Sequence, residues 1–175
     1  MAEILPGGYI GPLMSIWRIG LGYDIHRLAA DRRLMLGGIE IPHDRGLEGH
    51  SDADVVCHAL ADAILGALSL GDIGRHFPPT ESAWKDADST ELLTRVMALA
   101  ASKGARVANV DVTVVAEAPR LAPHADRMRE RLAPILGVAA GEVSVKATTN
   151  EGLGPEGRGE AISARAVCLL QLDDA

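Results

Sequence analysis

The feature that most constrains the fold is a run of small apolar residues with helical spacing in the first half of the chain. Its members recur three or four residues apart and are Val55, Val56, Ala59, Leu60, Ala63, Ile64, Ala67 and Leu68. Ser51 has the chemistry of an N-cap, and Asp52 and Asp54 place negative charge in the first turn. Aromatic residues make up only 3% of the chain, so Ala, Val, Leu and Ile must build the interior. The pattern predicts a buried helix in close contact with its neighbours.

Strand and helix patterns alternate around this helix. Apolar runs predict strands over residues 18–23, 34–41, 109–116, 143–148 and 162–172. Asp88 and Glu91 form a variant capping box for a second helix that ends at Lys103 and Gly104, and residues 122–136 predict a third. The charged, glycine-bearing segment 42–50 is interpreted as a loop. We expect an α+β, two-layer domain with a mixed β-sheet and helices on one face.

Domain organisation follows from where these patterns begin. Residues 1–16 are rich in glycine and proline and lack periodicity, which predicts a flexible N-terminal extension, with Met1 and Met14 both open as the start. Residues 17–175 are expected to form a single catalytic domain. Cys57 and Cys168 are interpreted as buried thiols in a reducing compartment. With no targeting or membrane segment in view, the expectation is a cytoplasmic protein.

Net charge limits the possible partners. The formal net charge is -7 and there is no basic run, so nucleic acid is not an expected partner. Because the protein is acidic overall, an anionic ligand would have to be bound by groups close to it, such as metal ions, backbone amides and a few Lys or Arg side chains.

A candidate metal site combines Asp24 and His26 with His58. Alternation in a strand puts Asp24 and His26 on one side, and His58 projects from the predicted helix. Three protein ligands leave a coordination position open, as in catalytic metal sites. Asp54 or Asp62, one turn away from His58, could accept its second ring N–H. The same short pattern also fits ordinary polar histidines.

Three further segments could bind a phosphorylated ligand. His50 and Ser51 lie where a glycine-bearing loop enters the helix, so they could receive a phosphate, although a plain N-cap is an equal alternative. The Asp72 carboxylate, in a turn-forming segment, could accept two hydroxyls of a diol or simply end a helix. Residues 146–151, from Lys146 to Glu151, end a strand and run into a glycine-rich loop, and together they offer a cation, hydroxyls and a ligand for a hard metal. Arg158, between glycines, is a further candidate anion ligand.

Several long segments together resemble the 2-C-methyl-D-erythritol 2,4-cyclodiphosphate synthase family. They are RIGLGYDIHRL, LGGIEIP, GLEGHSDADVVCHALADAILGA, GDIGRHFP, DADSTELL, NVDVTVVAEAPRLAPH and VSVKATTNEGLGPEGRGEAI. The resemblance implies a lyase of non-mevalonate isoprenoid biosynthesis. It would convert 4-diphosphocytidyl-2-C-methyl-D-erythritol 2-phosphate into the cyclic diphosphate and release CMP. It also implies a homotrimer whose active sites lie between neighbouring subunits.

The resemblance further implies a role for individual residues. Asp24, His26 and His58 would hold Zn²⁺, Glu151 would bind Mg²⁺ or Mn²⁺, and His50 and Thr149 would be catalytic. The substrate would contact a larger set: Asp24, His26, His50, Ser51, Asp72, Gly74, Phe77, Glu81, Ala116, Pro119, Arg120, Lys146, Thr148, Thr149, Glu151 and Arg158.

Some positions depart from the family pattern. Pro79 stands where an acidic residue is common, and Glu81 is expected to compensate. Pro155 replaces a bulky apolar residue near the trimer axis, and Arg120 replaces Lys. Arg158 matches a position facing a central cavity that would take an isoprenoid diphosphate. Two other functions stay open: a zinc-dependent phosphohydrolase, and a trimer that senses isoprenoid diphosphates without turnover.

Overall fold

A computed structural model describes residues 16–173 of the chain. The predicted extension over residues 1–16 therefore lies outside the described residues except for Ile16, which begins the first strand. The strands are β1 (Ile16–Ala30), β2 (Leu34–Leu36), β3 (Ile39–Ile41), β4 (Arg45–Leu47), β5 (Ala105–Val115), β6 (Val143–Thr148) and β7 (Ala161–Leu172). The helices are α1 (Val55–Ala67), α2 (Ile73–His76), α3 (Ser89–Ser102), α4 (Ala125–Leu136) and α5 (Gly154–Gly157), with short 3-10 turns at residues 82–84, 122–124 and 140–142.

The main sheet is mixed and has the strand order β4-β1-β7-β5-β6. β5 and β6 are parallel, whereas the other neighbours in the sheet are antiparallel. β2 and β3 form a separate hairpin, because Gly37 and Gly38 both adopt positive φ and turn the chain back. The expected mixed sheet with helices is confirmed.

Helix α1 is buried along nearly its whole length because it lies across β1 and β7. Close approach depends on Gly20 and Gly22, where a Cβ atom would come within 1.9 Å of the carbonyl oxygens of Ala63 and Ala59. The alternation in β1 places residues 20, 22, 24, 26 and 28 towards α1. The strand thereby brings Asp24 and His26 to the same surface as the first turn of the helix.

The other face of β1 is apolar and exposed. Ile19 and Leu21 are 73% and 70% exposed, and Tyr23, Ile25 and Val167 are also open. Ile19 pairs with Leu169, and Leu21 pairs with Val167, so the apolar side chains continue from β1 onto β7. Ile19, Leu21, Tyr23 and Val167 form an open apolar face.

Three details of the sequence-based expectation were wrong. The N-cap of α1 is Asp54, whose side chain accepts from the backbone N–H groups of Val56 and Cys57, rather than Ser51. Residues 34–41 form a hairpin rather than one interrupted strand, and the segment 42–50 contains the short strand β4. The cap at Asp88 is confirmed, since its carboxylate accepts from the Thr90 N–H.

Over residues 16–173, no helix is both long and apolar enough to cross a membrane.

Candidate active site

Asp24, His26 and His58 converge where β1 passes the start of α1. One carboxylate oxygen, Asp24 Oδ2, lies 2.8 Å from His58 Nδ1 and 3.2 Å from His26 Nε2. The two rings meet edge to face, with centroids 5.5 Å apart. Each residue offers one ligand atom, and these atoms all lie within 4.8 Å of one another. The sequence-based expectation that the three groups lie together is confirmed, and they are called the "metal triad" below.

The hydrogen bonds at the far side of each ring fix which nitrogen faces Asp24. His26 Nδ1 lies 2.7 Å from the carbonyl oxygen of Glu48, which can only accept, so Nδ1 carries the proton. His58 Nε2 lies 2.9 Å from Ser89 Oγ. In a neutral His26 ring the lone pair of Nε2 therefore points at Asp24, and His58 turns Nδ1 towards the same carboxylate. This donor set fits a cation, because two imidazole nitrogens and one carboxylate oxygen converge on one point.

Electrostatics within the triad follow the same geometry. Burial acts to raise the pKa of Asp24, but hydrogen bonds and charge from His26 and His58 outweigh it and hold that pKa well below its usual range. Burial acts to lower the pKa of His26, yet the adjacent Asp24 carboxylate raises it above its ordinary value. The site favours a carboxylate next to positive charge, supplied by a proton or by a metal ion.

The expectation that Asp54 or Asp62 accepts the second ring N–H of His58 was wrong. Asp54 is fully buried and accepts from Gly37 N–H and Gly38 N–H as well as from the start of α1. Asp62 accepts from the Ile73 N–H at 2.7 Å, and burial raises its pKa. Both carboxylates hold backbone segments, and the position next to His58 Nε2 belongs to Ser89.

A small cavity of about 120 Å³ adjoins the triad. Its lining is His26, His50, Ser51, His58, Ile73, Gly74, Phe77, Pro79, Trp84 and Leu92. His26, His50, Ser51, Gly74 and Phe77 among them belong to the expected substrate contacts. Phe77 and Trp84 pack edge to face with centroids 5.0 Å apart. Asp72 caps α2 by accepting from the Arg75 N–H and remains exposed. The Glu81 carboxylate accepts from the Trp84 indole rather than lining this cavity.

A second cavity, of about 320 Å³, lies where β5 and β6 end. Its lining is Ala116, Glu117, Pro119, Arg120, Leu121, Ala122, Ala147, Thr148 and Thr149. Ala116, Pro119, Arg120, Thr148 and Thr149 belong to the expected substrate contacts, whereas Lys146, which was also expected, does not line this cavity. Thr149 Oγ1 donates to Glu151, which adopts a positive φ of 52°. Lys146 is paired with Asp111, whose pKa it lowers, and Arg158 is paired with Glu160.

The metal triad and the second cavity lie apart within one chain. Asp24 pairs with Ala164 across β1 and β7. Ala164 pairs with Val114 of β5, which in turn pairs with Ala147 of β6. Neighbouring strands are about 4.8 Å apart, so three spacings separate Asp24 from Ala147 by roughly 14 Å. Glu151, beyond the end of β6, is not a member of the metal triad.

Two features of the site were missed by sequence reasoning. Ser89 contacts His58 although 31 residues separate them, and it donates to Asp52. Arg32 spans the loop that carries His50 by donating to the carbonyl oxygens of Leu47 and Ser51 at 3.2 and 2.9 Å. Neither residue belongs to a spacing pattern, so the sequence offered no signal for these contacts.

The fold and the site together define a mixed α+β enzyme with a three-residue candidate metal centre. The chain belongs to the YgbB family, whose model matches residues 17–171. Curated relatives are named 2-C-methyl-D-erythritol 2,4-cyclodiphosphate synthase. The protein from Moorella thermoacetica is 61% identical over 153 residues, covering 87% of this chain and 94% of the relative. The protein from Thermosynechococcus vestitus is 60% identical, covering 88% and 96%. These relatives place the chain among enzymes of the lyase type.

Solved structures show the same fold. A 2C-methyl-D-erythritol-2,4-cyclodiphosphate synthase in a CDP-bound form matches with a TM-score of 0.81 and 37% identity, covering 87% of this chain and 99% of that one. The bifunctional IspDF from Campylobacter jejuni matches with a TM-score of 0.88 and 37% identity over 92% of this chain, which spans 44% of that longer protein.

Proposed function

We propose that this chain cyclises 4-diphosphocytidyl-2-C-methyl-D-erythritol 2-phosphate to 2-C-methyl-D-erythritol 2,4-cyclodiphosphate and releases CMP. The observation that carries the proposal is the convergence of two imidazole nitrogens and the Asp24 carboxylate beside a cavity. The names of relatives that are about 60% identical over nearly their full length support this reaction. The CDP-bound relative supports a cytidine diphosphate site.

Zn²⁺ is the proposed ion of the metal triad, and Mg²⁺ or Mn²⁺ the proposed ion at Glu151. Two nitrogens and one carboxylate oxygen suit zinc, whereas the single exposed carboxylate of Glu151 suits a hard ion that keeps most of its waters. Bound there, the ions would polarise phosphate oxygens and offset their charge. They would also let an acidic protein hold a trianionic or tetra-anionic substrate.

A homotrimer is the proposed assembly, with each active site shared by two subunits. Two observations support it. The open apolar face exposes large side chains that a lone subunit leaves in water. The triad and the Thr149 loop lie at separate strands of one chain, roughly 14 Å or more apart. A neighbouring copy could bring its own Thr149 loop to the triad, which completes a site for a substrate with phosphates at both ends.

The chain's residues then act by holding and aligning one flexible substrate. Ala116, Pro119, Arg120, Lys146 and Thr148 would fix the cytidine diphosphate. Ser51, Asp72, Gly74, Phe77 and Glu81 would meet the methylerythritol end, with Glu81 required to leave its Trp84 contact. An oxygen of the 2-phosphate forms a bond to the β-phosphorus while the bond from that phosphorus to the CMP oxygen breaks. Holding both ends makes this an intramolecular, aligned displacement.

His50 and Thr149 are the proposed catalytic residues. His50 borders the cavity next to the triad, where its ring could donate to the attacking phosphate. Thr149 Oγ1 reaches Glu151 and could donate to the phosphate that the hard metal ion neutralises. Arg158, exposed and paired with Glu160, is proposed to face a central cavity of the trimer that takes an isoprenoid diphosphate.

The test is product analysis with the cytidylated 2-phosphate substrate, zinc and magnesium. The proposal expects equal amounts of CMP and a cyclic diphosphate, identified by ³¹P NMR and mass spectrometry. A linear diphosphate or free phosphate would identify a zinc-dependent phosphohydrolase, and binding of isoprenoid diphosphate without any turnover would identify a sensing trimer. His58→Ala should lose both zinc and turnover, and a full zinc load in that variant would remove His58 from the ligand set.

A further inference from the structure

A chain of two part-buried hydrogen bonds runs from His58 to Ser89 and on to Asp52. His58 Nε2 lies 2.9 Å from Ser89 Oγ, and Ser89 Oγ donates to Asp52 Oδ1 at 2.5 Å. Ser89 is 1% exposed, so solvent does not compete for its hydroxyl. Neither Ser89 nor Asp52 touches the cavity beside the triad. The ring of His58 is therefore held from behind by two residues that have no access to a substrate there.

We propose that Ser89 and Asp52 are positioning residues that fix the tautomer and the orientation of His58, so that Nδ1 presents its lone pair to the metal. This inference rests on the metal site of the proposed function. It assigns to the chain a hydroxyl-mediated connection between a carboxylate and a ligating histidine, in place of the more common direct carboxylate contact.

The direction of the hydrogen bonds follows from the number of protons. A serine hydroxyl has one proton, and here Asp52 Oδ1 accepts it. Asp52 acts as an acceptor in its other contacts too, since it receives the N–H groups of Ser89 and Asp54 at 3.2 and 3.3 Å. Ser89 Oγ can therefore only accept from His58, which requires a proton on Nε2. A neutral ring with that proton has its lone pair on Nδ1, the atom 2.8 Å from Asp24.

Ser51 supports the hydrogen bond between His58 and Ser89 but does not replace it. Ser51 Oγ lies 3.2 Å from His58 Nε2 and 3.3 Å from Ser89 Oγ, and it accepts from the Ala53 N–H. Its proton can be donated to Ser89 Oγ without changing the direction of the His58 bond. The Ser89 contact is the shorter of the two. Ser51 on its own leaves the direction open, because no carboxylate contact fixes where its proton goes.

The backbone holds Asp52 and Ser89 in place from both sides. Asp52 N–H donates to the Ala87 carbonyl oxygen at 3.1 Å, and Asp86 N–H donates to that of His50 at 2.8 Å. Ser89 is also the first residue of α3, whose N-cap is Asp88. Since Asp52 and Ser89 belong to segments that are joined in this way, the pair can set the angle of the His58 ring.

The experiment compares zinc affinity in Ser89→Ala and Asp52→Asn with that of the wild-type protein. Removing a partner behind a ligating histidine typically weakens metal binding by about 10- to 100-fold. We expect a loss of that size in Ser89→Ala. Asp52→Asn should also lose affinity, because the amide can donate to Ser89 Oγ. The serine proton is then free to be donated to His58 Nε2, which leaves the ring proton on Nδ1, the atom that should bind the metal. Asp88→Asn is the matched control, since it changes a carboxylate at the same helix end that contacts Thr90 but not Ser89 Oγ.

A second readout is the ring N–H proton of His58 in zinc-free protein, followed by ¹H–¹⁵N NMR. A hydrogen-bonded, buried Nε2–H exchanges slowly and gives a visible signal in the wild-type protein and in Asp88→Asn. We expect Ser89→Ala to lose or strongly broaden it while the melting temperature shows that the variant remains folded. This readout reports the ring itself and does not require bound metal.

The outcomes separate this inference from the proposed function. Weakened zinc binding in both variants, with the control unchanged, supports it. Zinc affinities within twofold of wild type, or an equal loss in Asp88→Asn, overturn it. If the wild-type protein binds no zinc, the metal site of the proposed function fails. The NMR signal then decides alone: its loss in Ser89→Ala supports the orienting contact, and its persistence overturns it.

Discussion

Replacing Gly22 by alanine tests whether the backbone contact between β1 and α1 sets the geometry of the triad. Gly22 lies two residues before Asp24, and its missing side chain faces the helix. A Cβ atom there would be 1.9 Å from the carbonyl oxygen of Ala59 and 2.7 Å from the Ala63 nitrogen. Both are backbone atoms of a buried helix, so no side chain can rotate to make room. The helix or the strand must move.

The required displacement is of the size that matters for a metal site. Contacts of a Cβ atom closer than 3.0 Å are essentially never found, so β1 and α1 must separate by about 1 Å. Overpacking of a core typically costs about 1–3 kcal/mol, and a clash with two backbone atoms belongs at the upper end, about 3 kcal/mol. His58 is bonded directly to Ala59 and moves with the helix, whereas Asp24 stays with the strand. The 2.8 Å contact between them would lengthen by a large fraction of that shift.

Urea denaturation and zinc titration of the same variant provide the assay. We expect Gly22→Ala to lose about 3 kcal/mol of unfolding free energy and at least tenfold in zinc affinity. Gly66→Ala is the matched control, because a Cβ atom at this exposed position of α1 meets nothing within 4 Å. Its better helix propensity should leave stability unchanged or raise it by up to about 1 kcal/mol. A Gly22→Ala protein with wild-type stability and zinc affinity would refute the reasoning.

Three further predictions concern pH, assembly and the loop of His50. Because Asp24 raises the pKa of His26, their ion pair stabilises the zinc-free protein below about pH 6.5 and is lost as pH rises through the raised pKa. Zinc must displace that proton, so its affinity should rise about tenfold per pH unit up to that pKa; a pH-independent affinity, measured by competition with a chelator, would contradict this. Leu21→Lys places a charge in the open apolar face and should yield monomers in light scattering. Thr94→Lys, on the exposed side of α3, is the control and should leave the trimer intact. A trimeric Leu21→Lys protein would exclude this face from the subunit interface. Arg32→Lys should reduce turnover by about tenfold and leave the zinc content unchanged. The reason is that one ammonium group cannot reach both carbonyl oxygens, of Leu47 and Ser51, that the guanidinium binds. Wild-type turnover in this variant would show that these hydrogen bonds do not position His50.

Much of the local structure could be predicted because its causes lie within a few residues. The helical spacing after Val55 and the cap at Asp88 are local signals, and β6 ends where the sequence indicated. The cap of α1 was misassigned to Ser51, since the competing carboxylate of Asp54 also receives N–H groups from the distant Gly37 and Gly38. Local rules rank the candidates for a cap, but a contact from another segment selects one of them.

The sequence by itself determined which chemical groups are present and on which side of their own element they lie. Strand alternation was enough to put Asp24 and His26 on one face, and the long motifs were enough to indicate the family. Only the tertiary structure decided that His58 meets Ser89 rather than Asp54 or Asp62, and that the Thr149 loop lies across the sheet from the triad. The physical reason is that a hydrogen bond depends on ångström-scale distances between segments. Those distances are set by how closely β1 and α1 pack through Gly20 and Gly22, not by spacing along the chain.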